Sequence, residues 1–285
     1  MILITGAAGK TGQAVIRALL ERDVAVRAFV YRAEQVPLVK KLGAKEAIVG
    51  DIRDEATFQR ATLGVKAIYH ICPNMNPDEV TIGQTAITAA RNSNVQHFVY
   101  HSVLHPQTEA MPHHWHKLRV EEMLFESGLA FTILQPAAYM QNILAGWTAI
   151  VEKGIYRIPY PVETRLGMVD LEDVAAAAAI VLTEPGHAGA TYELAGSEAL
   201  TQTEVATILS QVLNRPVRAE QIPIVDWTRQ AQTAGLDAYQ IETLVKMFRY
   251  YEQYNFRGNP RVLGWLLNRP PRQFRAFVEG FLAKM

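Results

Sequence analysis

Apolar and polar positions follow two rhythms in the first half of the chain. Short β-rich runs over Ile2–Thr5, Val24–Val30, Glu46–Gly50, Ala67–Cys72, His97–Ser102 and Phe131–Gln135 predict strands. Between them lie segments with helical spacing, for instance Gln13–Arg22 with Val15, Ile16, Leu19 and Leu20 on one face. Gln35–Leu42, Asp54–Leu63, Val80–Asn92 and Trp115–Ser127 predict four more helices. Strands that alternate with helices imply βαβ units. They predict an α/β fold, a doubly wound parallel sheet with helices on both faces.

The rhythm changes after Pro136. Tyr139–Lys153 predicts one helix, and Gly154–Pro161 an irregular or hairpin-like stretch. Asp170–Leu182 predicts a helix whose Ala175–Ala179 run suits close packing on the sheet. Ala190–Leu194 predicts a strand, and Gln202–Leu213 a helix capped by Thr201. From Trp227 onward the pattern is mostly helical, with turns at Gly258-Asn259-Pro260 and Arg269-Pro270-Pro271. The expected organisation is a nucleotide-binding domain over 1–135, completed by about 166–185. Residues 136–165 and 186–285 are expected to form a smaller C-terminal substrate lobe.

Composition narrows the functional classes. The 285 residues are 49% hydrophobic, enough for a sizeable core. Twenty-eight basic residues balance 28 acidic ones, which speaks against a nucleic-acid or anionic-membrane surface. No apolar run is long enough for a membrane span, and the N-terminus reads as a core strand rather than a secretory leader. Cys72 is the single cysteine, so no internal disulfide forms, and a cytoplasmic location is expected.

The first strand runs into Gly6-Ala7-Ala8-Gly9-Lys10-Thr11-Gly12, and a helix follows. Gly6 permits the tight turn, Gly9 lets backbone approach a diphosphate, and Gly12 allows close helix–strand packing. Amide N–H groups and the helix dipole then favour an anion at this helix start. The spacing is GxxGxxG; the alternative is a tight turn that holds no ligand. In this strand–loop–helix context the loop predicts a Rossmann-type dinucleotide site, with Ala8, Lys10 and Thr11 as further contacts. The second strand ends Phe29-Val30-Tyr31-Arg32 without the acid that an NAD site usually carries. Arg32, with Tyr31 beside it, suits a 2′-phosphate, so NADP(H) is favoured and NAD(H) is the alternative. An exposed loop arginine is the other reading of Arg32. Asp51 and Ile52 after the third strand are expected near the adenine; Asp51 equally suits a cap for the helix near Asp54.

Several segments resemble a known family. Thr5–Gly12, His97-Phe98-Val99-Tyr100-His101-Ser102, Leu134-Gln135-Pro136-Ala137-Ala138-Tyr139-Met140-Gln141-Asn142, Asp170-Leu171-Glu172-Asp173-Val174-Ala175 and Leu263-Gly264-Trp265-Leu266-Leu267-Asn268-Arg269-Pro270-Pro271 carry the likeness, in this order. Together they resemble the NmrA-like group of atypical short-chain dehydrogenases. The resemblance implies a Rossmann domain with a small substrate lobe. It also implies either an NAD(P)H-dependent reductase of quinones and related compounds or a silent cofactor sensor.

Short-chain dehydrogenases use a serine, a tyrosine and a lysine. By resemblance Ser102 stands at the serine position and Lys117 at the lysine position, as ribose or nicotinamide contact. Four residues before Lys117, where the tyrosine belongs, stands His113. That spacing shares one helix face if the helix has begun. His113 titrating near neutrality is a candidate proton donor; a solvated loop histidine is the alternative. His113-His114-Trp115-His116 does not predict a metal site, because adjacent helix residues diverge and no Asp, Glu or Cys cluster is nearby in sequence; surface histidines are expected. Cys72, Pro73 and Asn74 end the fourth strand beside the expected cofactor groove, with a buried inert thiol as the alternative for Cys72. Pro136 is expected against the nicotinamide, and Tyr139 and Asn142 one turn apart in a substrate pocket, with core packing the alternative for Tyr139.

The expected function is NADPH-dependent reduction of a small electrophile, a quinone or related enone. That reaction asks mainly for a placed nicotinamide and a flat apolar pocket. The alternative is a non-catalytic NADP(H) sensor acting through a protein partner. A nucleotide-sugar epimerase is disfavoured, because its chemistry leans on the absent tyrosine. Apolar helices outside the Rossmann core leave room for a homodimer face.

Overall fold

The computed structural model describes residues 1–284. Its strands and helices, in chain order, begin with β1 Ile2–Ile4, α1 Lys10–Leu20, β2 Val26–Val30, α2 Val36–Lys41, β3 Glu46–Val49 and α3 Glu55–Thr62. They continue with β4 Ala67–His70, α4 Glu79–Asn92, β5 His97–His101, α5 Pro112–Glu126, β6 Phe131–Pro136, α6 Trp147–Lys153, β7 Ile155–Ile158 and β8 Leu166–Gly167. The last are α7 Leu171–Thr183, β9 Ala190–Leu194, β10 Ala199–Leu200, α8 Gln202–Val212, β11 Arg218–Gln221, α9 Ile224–Thr233, α10 Ala238–Tyr254, α11 Pro260–Leu267 and α12 Phe274–Leu282.

Seven strands form one sheet in the order β3-β2-β1-β4-β5-β6-β9. The registered pairings among β1 to β6 are all parallel. Strand order reverses between β1 and β4, the switch point at which open α/β sheets bind ligands. The fold is the expected Rossmann-type α/β arrangement.

The chain divides into two compact units: Met1–Glu109 with His113–Pro136 and Leu171–Tyr192, and Ala110–Pro112 with Ala137–Asp170 and Glu193–Met285. In the first unit, period-two alternation decides which side chains meet. Phe98 and Tyr100 of β5 point to one face and join Leu3, Phe29, Phe58, Ile68, Val120, Leu124 and Ile133 in a buried cluster. Phe29 and Phe58 meet edge to face at 5.4 Å. On helix α4, Gly83 lets α5 approach closely, since a Cβ there would stand 2.6 Å from a methyl of Val120. Helix α7, with its alanine run, packs on α1.

In the second unit, β7 pairs in parallel with β11 and β8 antiparallel with β10. Thr201 caps α8 in a reciprocal box with Glu204. Tyr160, Trp227, Phe248, Tyr251 and Phe256 form a connected group of rings.

Three sequence expectations change here. The single helix over 139–153 is a 3₁₀ segment at Met140–Gly146 followed by α6, with Gly146, a poor helix former, at the junction. The stretch expected as irregular or hairpin-like contains β7, whose partner lies some sixty residues later. Helix α5 starts at Pro112 rather than Trp115, with proline as its first residue. Among the described residues no helix is long and apolar enough to cross a membrane.

Candidate active site

The loop after β1 is fixed by backbone. Gly6 has φ +56°, the left-handed conformation that disfavours side chains, and a Cβ there would press on Ile71 at 3.3 Å. Gly9 donates its N–H to the Gly6 carbonyl at 2.9 Å and stands at the N-cap of α1 in extended conformation. At Gly12 a Cβ would lie 2.4 Å from the Gly6 oxygen and 2.6 Å from Ala7 Cα, so only glycine lets α1 sit this close to the loop. Gln13 braces the turn from within the helix, donating to the Ala8 carbonyl at 2.8 Å. No side chain caps α1. A helix begun this way presents the positive end of its dipole and first-turn amides to an anion. Gly6, Gly9 and Lys10 are exposed, Ala8 and Thr11 half-buried and Gly12 buried.

Thr5, at the end of β1, ties this loop to the end of β4. Its hydroxyl donates to the Ile71 carbonyl at 2.9 Å and accepts from the Ile71 N–H at 2.7 Å. Cys72 follows, buried, while Pro73 and Asn74 are exposed. Burial, then the neighbouring Glu79 carboxylate, push the Cys72 thiol far up, so the thiolate is not accessible near neutrality. The Cys72 thiol is therefore inert, which leaves its backbone contact with a cofactor untouched.

At the end of β2, Tyr31 and Arg32 are exposed, and both backbone N–H groups donate to Gln35 Oε1, at 3.1 and 3.0 Å. Asp51 does not cap α3; Asp54 does, accepting from the Ala56 and Thr57 amides at 3.1 and 3.4 Å. Arg53 instead grips Asp51 with two nitrogens, Nη2 at 2.7 Å and Nε at 3.0 Å. That grip lowers the Asp51 carboxyl. Ile52, half-buried, packs against the core cluster.

A second constellation lies along α5. Lys117 Nζ donates to Glu79 Oε1 at 3.0 Å and to the His101 carbonyl at 3.2 Å, and sits 5.3 Å above the Tyr100 ring. Four residues on, buried Glu121 accepts from the Ser102 hydroxyl and from Gln135 Nε2, at 3.0 Å to each oxygen. Burial raises the Glu121 carboxyl against the lowering effect of these bonds. Tyr100 and Ser102 alternate with His101 along the strand, so they share the face covered by α5. His101 points the other way and meets the Tyr69 hydroxyl at 2.6 Å.

His113 lies on α5 one turn before Lys117, as the spacing requires, but its chemistry differs from expectation. His113 and His114 are buried, not surface residues, with ring centroids 4.5 Å apart. Burial first, then the neighbouring His114, Lys117 and His116, push the His113 imidazole down to about 2. The ring is therefore neutral at physiological pH, which removes the expected imidazolium proton donor. Its buried Nδ1 has no hydrogen-bond partner among the described residues. Among the described residues no three histidine, cysteine or acidic side chains gather to hold a metal.

Pro136 ends β6, buried, and its carbonyl accepts from the Leu104 N–H at 2.9 Å. In the second unit, Tyr139 is half-buried and Asn142 exposed. The Asn142 N–H bonds to the Tyr139 carbonyl at 3.1 Å in a 3₁₀ turn rather than an α-helical one. Thr5, Gln13, Arg53, Glu79, Glu121 and Gln135 escaped sequence reasoning. A signal existed for Glu121, a charged residue four positions after Lys117 on the same face.

The sequence profile of the NmrA-like family matches residues 1–269. An NAD(P)H azoreductase of Xenophilus azovorans is 31% identical over 286 residues, covering 99% of this chain and 98% of that protein. Quinone oxidoreductase 2 of Escherichia coli is 31% identical over 238 residues, covering 83% and 82%. A crystal structure of the Escherichia coli NADPH-dependent quinone oxidoreductase complexed with NADPH superposes with a TM-score of 0.86 at 27% identity, covering 99% of this chain and all of that one. The profile match over residues 1–269 and relatives 31% identical over most of their length show that the chain belongs to the NmrA-like family.

Proposed function

We propose that this protein is an NADPH-dependent reductase of quinones or related small electrophiles. The observation that carries the reading is the backbone cradle at Gly6, Gly9 and Gly12, where a single added Cβ at Gly12 would collide with main chain. The cradle fits a dinucleotide diphosphate. Relatives that match nearly the whole chain or most of it carry the names NAD(P)H azoreductase and quinone oxidoreductase.

The bound cofactor supplies a hydride; the chain supplies binding and orientation. The loop and the start of α1 would hold the diphosphate, with Ala8, Lys10 and Thr11 beside it. Arg32 would pair with the 2′-phosphate, and Asp51, Ile52, Cys72, Pro73 and Asn74 would line the path of the cofactor. Lys117 would donate to the ribose, and Pro136 would lie against the nicotinamide. Ser102 is engaged by Glu121 and supports the strand tip. His113 offers a hydrogen bond from a neutral ring to the acceptor oxygen, and the proton that completes reduction comes from solvent. Tyr139 and Asn142 contact the substrate.

The test is turnover. Purified protein mixed with NADPH and a panel of benzoquinones and naphthoquinones is expected to consume NADPH, with kcat showing no limb near pH 6.5 from His113. Tight NADPH binding without turnover of any acceptor would sink the reductase reading and leave a cofactor sensor.

A further inference from the structure

Lys117 offers three N–H donors, and the protein engages two of them, at Glu79 Oε1 and the His101 carbonyl. Glu79 comes from a different helix, in the first turn of α4, and is 3% exposed. The same Oε1 accepts the Tyr100 hydroxyl at 2.7 Å. The Cys72 thiol is close enough to feel the same carboxylate. One buried carboxylate thus gathers groups from the end of β4, from β5 and from α5. A buried carboxylate is costly unless its charge is matched, and here Lys117 is the cation bonded to it. Without such a counterion the lysine is a mobile point charge on a four-carbon stem.

We infer that Glu79 is a positioning residue for the Lys117 ammonium. It pins the ammonium at the tip of β5, so that the third N–H is presented in one direction. This rests on the proposed contact between Lys117 and the cofactor ribose. The pair is neutral overall, so Lys117 acts as an oriented donor rather than as a free positive charge. A paired lysine of this kind matches a site in which no tyrosine needs its acidity raised.

A double-mutant cycle tests the inference, read as the dissociation constant of NADPH from its fluorescence on titration into folded protein. Glu79→Gln is isosteric and keeps an oxygen for Tyr100 and Lys117, but loses the charge. It is expected to weaken NADPH about fivefold, as the ion pair between Glu79 and Lys117 becomes a weaker contact between a cation and a neutral amide. Glu79→Leu, which removes the bonds as well, is expected to weaken it about tenfold or more. In a Lys117→Met background both effects shrink to less than about twofold, because Glu79 then has nothing to position. The same losses in that background would show that Glu79 serves the fold alone and would overturn the inference. An unchanged affinity in Lys117→Met itself would instead remove the lysine from the cofactor, and the positioning role with it. If Glu79→Leu does not fold, the Glu79→Gln arm decides the question alone.

Discussion

The loop between β1 and α1 is made of backbone, whereas the cluster where α4 and α5 cover β5 is made of side chains. In the loop, three glycines remove every Cβ that would obstruct, and contact is made by amides and a helix dipole. In the cluster, Glu79, Tyr100, Ser102, Lys117, Glu121 and Gln135 satisfy one another in a buried space. The loop carries no acid or histidine; the cluster is bordered by buried histidines and a raised carboxyl. A backbone site tolerates pH and fails by steric intrusion. A buried polar site is exact only while its charges stay matched, and it fails by protonation.

Acid therefore has the largest expected effect. His70 and His114 are held down to about 4, His101 to about 3 and His113 to about 2, in each case chiefly by burial. Below the unfolded value of 6.5 the unfolded chain binds protons that the folded chain refuses. Stability is thus greatest above pH 6.5 and falls as pH drops from there toward 4. Each histidine contributes up to about 1.4 kcal/mol per pH unit, so the four together reach about 5.6 kcal/mol per pH unit. Glu121 works in the opposite sense, since its raised carboxyl protonates first in the folded state, but it is one group against four. Against a typical domain stability, unfolding is expected near about pH 5. Urea midpoints between pH 7.5 and 5 would show it, and loss of NADPH binding should follow unfolding rather than precede it. Constant midpoints across that range would mean that these rings gain protons without cost, and the contrast with the loop would lose its basis.

The two regions were unequally legible in the sequence for the same physical reason. The loop is local: Gly6, Gly9 and Gly12 lie within seven residues, between a strand pattern and a helix pattern. The parallel sheet was legible too, because each strand announces itself in four to seven residues. The cluster is non-local. Glu79 and Lys117 are 38 positions apart, and Glu121 and Gln135 lie on separate elements. Before the fold is known, an acid in the first turn of α4 looks like a solvated helix start. The spacing to Lys117 puts His113 on the shared helix α5, but its protonation depends on burial, which cannot be read from a four-residue interval. The β7–β11 pairing was missed for the same reason, as parallel partners far apart leave no turn signal.

A steric intrusion into the loop is the next largest effect. Gly12→Ala places a methyl against Gly6 oxygen and Ala7 Cα, which are main chain and cannot step aside. The expected cost is about 3 kcal/mol of stability with NADPH affinity down about a hundredfold, as α1 is pushed from the loop. Gly9→Ala meets only the Gly6 oxygen, at 3.2 Å. It should leave the urea midpoint nearly unchanged while still weakening NADPH, because its methyl stands where the diphosphate approaches. Wild-type affinity in Gly12→Ala would mean that the loop relaxes, and a backbone cradle would no longer describe it.

The smallest expected effects lie at the exposed edge of the loop region, where charge rather than shape operates. Arg32→Ala should weaken NADPH by about tenfold and NADH hardly at all, since only NADPH offers a 2′-phosphate to pair with the guanidinium. Arg53 acts one step removed. It holds the Asp51 carboxylate through two nitrogens and also reaches Asp78 at 3.6 Å, so the Asp51 charge at the end of β3 is matched rather than bare. Arg53→Ala bares that carboxylate near the phosphate, and the expected loss is about two- to threefold for NADPH, fading as salt rises from 0.05 to 0.5 M. The comparison between cofactors makes the test sharp. Repulsion from Asp51 predicts that the double substitution Asp51→Asn with Arg53→Ala restores NADPH affinity, whereas a direct arginine–phosphate contact predicts that it does not. Restoration would place selectivity in the balance of Arg32 against a silenced Asp51, and a persistent loss would add Arg53 to the residues that read the phosphate.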